Sequence, residues 1–177
     1  KNEGTMPEIL DGDLEILKKG ITDSLSISYY MSTISHYGEE SLTNINDVVI
    51  KKNPYLEMSE FGWTIDPTGL RITLRQLYDR YEMPIYIVEN GFGYNYRIDY
   101  MRKHLEEMKL AIQEGVDCRG YLSWGPVDIL SSRAQMKKRY GFIYVNREND
   151  DLKDMRRIRK KSFTWYQQVI ASNGEVL

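Results

Sequence analysis

The stretch Pro84-Ile85-Tyr86-Ile87-Val88-Glu89-Asn90-Gly91 decides the fold. Residues 84–88 form an apolar run without alternation, the pattern of a strand covered on both faces in a parallel sheet. The run ends in a carboxylate, an amide and a glycine. Asn-Gly is also the strongest short signal for a type I′ hairpin, so two structures compete for one dipeptide. Against the hairpin, no matching strand follows. Ile98, Met101, Leu105, Met108 and Ile112 instead step by three or four residues, marking an amphipathic helix that ends at Gly115.

Upstream, Pro67-Thr68-Gly69 opens a helix in which Leu70, Leu74, Leu77, Tyr78 and Tyr81 share a face, ending before Pro84. Ser24–Ser32 (SLSISYYMS) is rich in β-formers and reads as a strand, while Asp11–Lys19 reads as a short helix stopped by Gly20. The stretch 36–53 is polar and irregular. Downstream, Gly120–Trp124 is a third strand. Asp151–Ile170 is predicted as a last helix, with Leu152, Met155, Ile158, Trp165, Tyr166 and Val169 on its apolar side and Asn149 or Asp150 as its cap.

This order of helices and strands predicts one α/β domain over residues 1–177, with a parallel sheet and right-handed crossovers. Pro84 and Arg119 lie 35 positions apart, close to the roughly 30 residues of one βα unit in a (β/α)₈ barrel. A chain of 177 residues is nevertheless well short of the roughly 250 that a whole barrel takes. In such folds the chemistry sits at the C-terminal ends of the strands. Tyr29 and Tyr30, Glu89 and Asn90, and the residues from Trp124 onward are therefore the places to look.

A net charge of −2 argues against general attraction to nucleic acid or membranes. The cluster Arg156, Arg157, Arg159, Lys160 and Lys161 is interleaved with acids and reads as the charged outer face of a helix, not as a nucleic-acid footprint. Lys137-Lys138-Arg139 alone reads as a solvated basic turn. A single cysteine, Cys118, excludes an internal disulfide framework and suits a reducing compartment. His36 and His104 lie too far apart to suggest a zinc pattern and are read as surface or structural residues. No metal, cofactor or membrane span is expected, and a cytoplasmic setting is. Fourteen Tyr and three Trp against four Phe suit either a sugar cleft or a core of hydrogen-bonded tyrosines.

Four ordered segments resemble the family 1 glycoside hydrolases. An apolar strand ending in Glu89-Asn90-Gly91 is similar to the family's nucleophile strand, and Ser28-Tyr29-Tyr30 to its strand ending in a Tyr-Tyr pair, with Ser28 where the family at large has Asn. Gly62-Trp63-Thr64-Ile65-Asp66-Pro67 resembles its Gly-Trp loop. Trp124 through Asp128, followed by Lys138-Arg139-Tyr140-Gly141-Phe142-Ile143-Tyr144-Val145, resembles its final strand and turn. The resemblance implies a partial (β/α)₈ barrel comprising strands 6–8 and their helices.

The subgroup that cleaves 6-phospho-β-glucosides is the closer likeness. Where the wider family has Glu-Trp after its last strand, this chain has Ser131-Ser132. A carboxylate there would repel a 6-phosphate, whereas a hydroxyl can donate to it. The resemblance implies that Ser131 or Ser132, with Lys138 and Tyr140, holds the phosphate of a phosphorylated β-glucoside. It also implies Glu89 as nucleophile, Tyr30 as the donor that orients it, Trp124 as a platform under the sugar and Trp63 on the leaving-group side.

A retaining glycosidase needs two carboxyl groups roughly 5–5.5 Å apart, and the family's acid/base lies in an Asn-Glu-Pro motif. That tripeptide is missing from the 177 residues, and Glu39, Glu40, Glu57 and Glu60 match no such motif. The chain alone is therefore expected to have little or no hydrolytic activity. An open partial barrel leaves edges uncovered, so self-association, or docking to a missing N-terminal half-barrel, is expected. The link Gly91–Tyr96 is shorter than the family's loop there, implying either a deletion or an omitted loop. A non-catalytic phosphosugar-binding module and a purely structural α/β domain remain the alternatives.

Overall fold

In the computed structural model, the described residues are 8–34, 53–93, 96–132 and 134–177. The reading of His36, Glu39 and Glu40, the irregular stretch from 36 to 52, and positions 94–95 of the Gly91–Tyr96 link lie outside them. The elements run α1 (Asp13–Lys19), β1 (Leu25–Ser28), α2 (Pro67–Tyr81), β2 (Ile85–Asn90), α3 (Arg97–Gln113), β3 (Cys118–Ser123), β4 (Ile143–Val145), β5 (Arg157–Arg159) and α4 (Lys161–Ala171).

The decisive stretch forms β2, the middle strand of a three-stranded sheet in the order β1-β2-β3. It pairs in parallel with both neighbours, Ile87 facing Ile27 on one side and Tyr121 on the other. The hairpin alternative fails because both edges of β2 are taken by parallel partners. Gly91 leaves the strand at φ 141°, a conformation that side-chain-bearing residues rarely adopt.

Ile85 and Ile87 are fully buried, with Leu70 and Leu74 of α2 and Ala111 of α3 in one core. Burying each such side chain contributes about 1.5–3 kcal/mol. Helix α2 starts where Pro67 supplies a preset φ and Asp66 accepts from Gly69 N at 2.9 Å. It is tied to α3 by Arg71 with Glu107 (3.2 Å) and Arg75 with Glu114 (3.0 Å). A second core of Ile65, Phe92, Tyr100, Met101 and Phe142 lies with Trp165 and Tyr166 of α4 packed against it.

The C-terminal region departs from expectation. The helix predicted over 151–170 starts only at Lys161; before it, β5 pairs antiparallel with β4, Ile158 facing Tyr144. Leu152, Met155 and Ile158 mimic a helical stripe by their spacing, but Lys153 and Met155 have φ of 45° and 54°, which no α-helix tolerates. Leu152 and Ile158 are exposed. Of the five basic residues read as one outer helix face, Lys161 alone lies within α4, and Lys160 turns inward (below). His104 is structural, as one of its two readings held, and it is fully buried.

Both outer strands of the sheet have one hydrogen-bonded neighbour among the described residues. Helix α1 buries no residue, its Leu14, Ile16 and Leu17 lying about two-thirds exposed. No helix among the described residues is long and apolar enough to cross a membrane.

Candidate active site

Glu89 is the penultimate residue of β2, half-buried, at the C-terminal end where the sheet opens. The parallel register brings the end of β1 alongside, Tyr29 N donating to Glu89 O at 3.0 Å. The next residue, Tyr30, points its hydroxyl at the carboxylate and donates to Oε2 at 3.0 Å. Burial and the adjacent carboxylate both push the Tyr30 pKa up, so the phenol stays protonated and acts as a donor throughout the physiological range.

Beneath Glu89, a neutral network fixes the strand end. Asn90 is fully buried; its Nδ2 donates to Tyr29 O at 2.6 Å, and its Oδ1 accepts from Tyr121 Oη at 2.5 Å. Tyr100 Oη donates to Tyr30 O at 2.6 Å, and His104 stacks on the Tyr100 ring with centroids 3.9 Å apart. Burial holds the His104 pKa down at about 4, so its ring is neutral and its Nδ1 sits 2.7 Å from Tyr100 O. Every member of this network is uncharged at neutral pH. Cys118 is buried, its thiol pushed up to about 11 by desolvation, and is no nucleophile.

Around Glu89 the aromatic residues converge. A pocket beside Gly91 is lined by Phe61, Trp63, Phe92, Lys138 and Tyr140. Trp63 meets Tyr30 edge-on with centroids 5.6 Å apart and Phe92 at 5.9 Å. It is placed by the tight 59–63 turn, whose Ser59 Oγ accepts from Trp63 N at 3.1 Å. Lys138 Nζ stands 5.2 Å from the Trp63 ring centroid, 5.6 Å from Phe61 and 5.9 Å from Tyr140, within cation–π range of all three. The main chain of Lys138 packs on Gly93, where a Cβ would collide with the Lys138 carbonyl. Trp63, Lys138 and Tyr140, far apart in sequence, thus line one pocket, and Trp63 joins it to Tyr30, whose hydroxyl bonds Glu89.

Trp124 follows β3 directly and is more than a third exposed, so it is not the core aromatic its sequence also allowed. Its N–H donates to Asn90 O at 2.7 Å, tying it to the residue after Glu89. Ser131 is buried in a tight turn, where its Oγ accepts from Gln135 N at 3.2 Å, and Ser132 is exposed beside it. Glu57 and Glu60 are exposed, Glu57 lying 4.0 Å from Lys103 Nζ.

Sequence reasoning gave no role to Arg97. It is buried, donates to Ser123 Oγ (3.2 Å) and Trp124 O (3.1 Å), and stacks over Phe142 with its Cζ 4.3 Å from the ring centroid. Desolvation lowers its pKa to about 10, leaving it charged at neutral pH. An arginine in the first turn of a helix looks like a surface residue by pattern. Lys160 was read as part of a solvated face, yet its Nζ lies 2.6 Å from the buried Asp128. Arg139 likewise turns inward from the expected basic turn to donate to Val145 O and Arg147 O at 2.8 Å each.

Such an arrangement offers a carboxylate held by a phenol, an aromatic-walled cleft and a cation at its rim. Comparison with known proteins bears on which chemistry this serves. The model of glycosyl hydrolase family 1 matches residues 1–175. Aryl-phospho-beta-D-glucosidase BglH of Bacillus subtilis (strain 168) is 51% identical over 185 residues, covering 96% of this chain and 39% of that protein. The 6-phospho-beta-glucosidase AscB of Escherichia coli (strain K12) is 44% identical over 181 residues, covering 94% and 38% respectively. The solved beta-glucosidase from Thermotoga maritima in complex with noeuromycin superposes with a TM-score of 0.77 at 28% identity, over 93% of this chain and 37% of that one. The chain spans about two-fifths of the length of these relatives. With the strand-end glutamate, its tyrosine and the family match over nearly every residue in agreement, the chain belongs to glycosyl hydrolase family 1.

Proposed function

We propose that this chain is the C-terminal part of a retaining 6-phospho-β-glucosidase: a single domain, 1–177, that contributes barrel strands 6–8 and their helices. The observation that carries this reading is the Tyr30–Glu89 hydrogen bond of 3.0 Å, with Tyr30 set edge-on against Trp63 of the pocket that Lys138 and Tyr140 also line. In the proposed reaction Glu89 attacks the anomeric carbon, and Tyr30 keeps its carboxylate oriented. Trp124 lies under the sugar and Trp63 on the leaving-group side. Lys138 and Tyr140, with Ser131 or Ser132, bind the 6-phosphate: an ammonium supplies a point charge, and hydroxyls donate to its oxygens.

Protonation of the leaving oxygen requires a second carboxyl roughly 5–5.5 Å from the first. We assign that acid/base to a segment beyond these residues, since Asn-Glu-Pro is absent from them. The edges of β1 and β3, each singly paired among the described residues, and the exposed Leu122 and Ile170 support docking to that remainder or self-association; we place the whole in a cytoplasmic setting.

Half a reaction suffices for a test. A 2-deoxy-2-fluoro-6-phospho-β-glucosyl fluoride leaves as fluoride without needing an acid, so the isolated chain should form a covalent adduct on Glu89, detected by mass spectrometry. Glu89→Gln should form none. The chain alone should release almost no nitrophenol from a 4-nitrophenyl 6-phospho-β-glucoside. Robust turnover would refute the assignment of the acid/base elsewhere, and an adduct on another residue would refute Glu89 as nucleophile.

A further inference from the structure

The ionic contacts behind the Lys138–Tyr140 segment have no part in the chemistry described so far. The Asp128 side chain has no solvent exposure. Its Oδ1 accepts from Lys160 Nζ at 2.6 Å and from Gly141 N at 2.9 Å. Lys160 Nζ donates a second bond, 2.9 Å, to Arg139 O, and Arg139 Nη1 lies 3.7 Å from Asp128 Oδ2. The backbone is therefore gripped on both sides of Tyr140, at the Arg139 carbonyl and the Gly141 amide. Lys138 is the residue before this grip, and its own carbonyl is seated on Gly93 beyond the nucleophile strand.

Arg139 has φ of 46°, a left-handed conformation that is unfavourable for a non-glycine residue and persists only where its surroundings hold it. Stability alone is a weak reason for such a cluster. Desolvation offsets most of the attraction in a buried ion pair, and apolar residues of equal volume commonly do as well. Apolar residues cannot, however, hold two backbone groups in fixed directions. Asp128 lies just beyond β3 and Lys160 just before α4, so the pair joins two elements across the turn that carries Lys138 and Tyr140.

We infer that Asp128 and Lys160 are positioning residues for sugar-phosphate recognition: by fixing the main chain of Arg139 and Gly141 they set where the Lys138 ammonium and the Tyr140 hydroxyl stand relative to Glu89. This rests on the assignment of Lys138 and Tyr140 to the 6-phosphate. A purely electrostatic role makes the opposite prediction for one variant. Removing the Asp128 charge makes the field around Lys160, Arg139 and Arg97 more positive, so a field effect alone would tighten phosphate binding; loss of the grip weakens it.

The test titrates the 177-residue chain with glucose 6-phosphate and with glucose, following tryptophan emission. Wild type should prefer glucose 6-phosphate. In Asp128→Asn and Lys160→Met that preference should fall about tenfold or more while affinity for glucose stays unchanged. Lys160→Arg, which can still reach both Asp128 and Arg139 O, should restore most of it. An unchanged preference in folded Lys160→Met, a stronger preference in Asp128→Asn, or parallel loss of both ligands would overturn the proposal. Should Asp128→Asn fail to fold, the Lys160→Met and Lys160→Arg pair decides alone. Absence of any preference in wild type would instead overturn the phosphate assignment on which the proposal stands.

Discussion

The two walls of the cleft are built from opposite chemistry. On the Glu89 side the network beneath the strand end is neutral: Asn90, Tyr29, Tyr100, Tyr121 and an uncharged His104. On the Lys138 side the contacts are ionic, with Asp128 set among Lys160 and Arg139. The difference fits the role proposed for each wall. A carboxylate that must stay ionised and nucleophilic is best oriented by donors that add no countercharge, because a salt bridge would stabilise its charge and blunt its attack. A wall facing an anionic group gains from surplus positive charge, and one buried acid keeps that charge ordered.

Breaking the hub of the neutral wall should have the largest effect. Asn90→Leu strands Tyr29 O and the Tyr121 hydroxyl without their partner, and leaves the Tyr100 hydroxyl only its bond to Tyr30 O. At about 1–3 kcal/mol per buried unsatisfied group, the loss should be about 4 kcal/mol in urea unfolding. A loss under about 1 kcal/mol would mean that water replaces the amide, and that the wall is not a closed network.

The neutrality of His104 sharpens the comparison through pH. Its folded pKa is about 4 against 6.5 for the free side chain, so between those values the unfolded chain binds the extra proton and folding weakens as pH falls. The loss begins below about pH 6.5, levels off below about pH 4 and totals about 3 kcal/mol. His104→Phe should remove this slope from pH-dependent thermal unfolding.

Tyr30→Phe removes one donor without disturbing the backbone around it. Stability should change by less than about 1 kcal/mol, while the rate of covalent trapping at Glu89 should fall about tenfold. The smallest effect belongs to an exposed ionic contact. Lys103→Met, which breaks the 2.7 Å pair with Asp99 on α3, should cost about 0.3–0.5 kcal/mol, and less at 1 M salt. The contrast with Lys160 would show that burial, not charge, gives the ionic wall its role.

Much of this was legible in the residues. Unbroken apolar runs mark β2, and helical spacing marks α2 and α3, because these elements bury regular faces in a shared core. Glu89 was legible as a carboxylate ending a buried strand, where apolar neighbours make a charge conspicuous. The C-terminal region was not: Leu152, Met155 and Ile158 have helical spacing, yet β4–β5 pairing and left-handed residues at 153 and 155 override it. Lys160 shows the same limit at the level of one residue, since a run of basic residues gives no sign of which member faces an acid 32 positions away.

The sequence by itself determined the parallel α/β layering, the strand-end glutamate and the family likeness, because each rests on local periodicity or on contiguous motifs. The family likeness implied that Tyr30 orients Glu89; tertiary structure alone decided that Lys138 stands among three rings and that Asp128 pairs with Lys160. Those contacts depend on strand register and on which charges the fold removes from water, and neither is encoded in the spacing of residues along the chain.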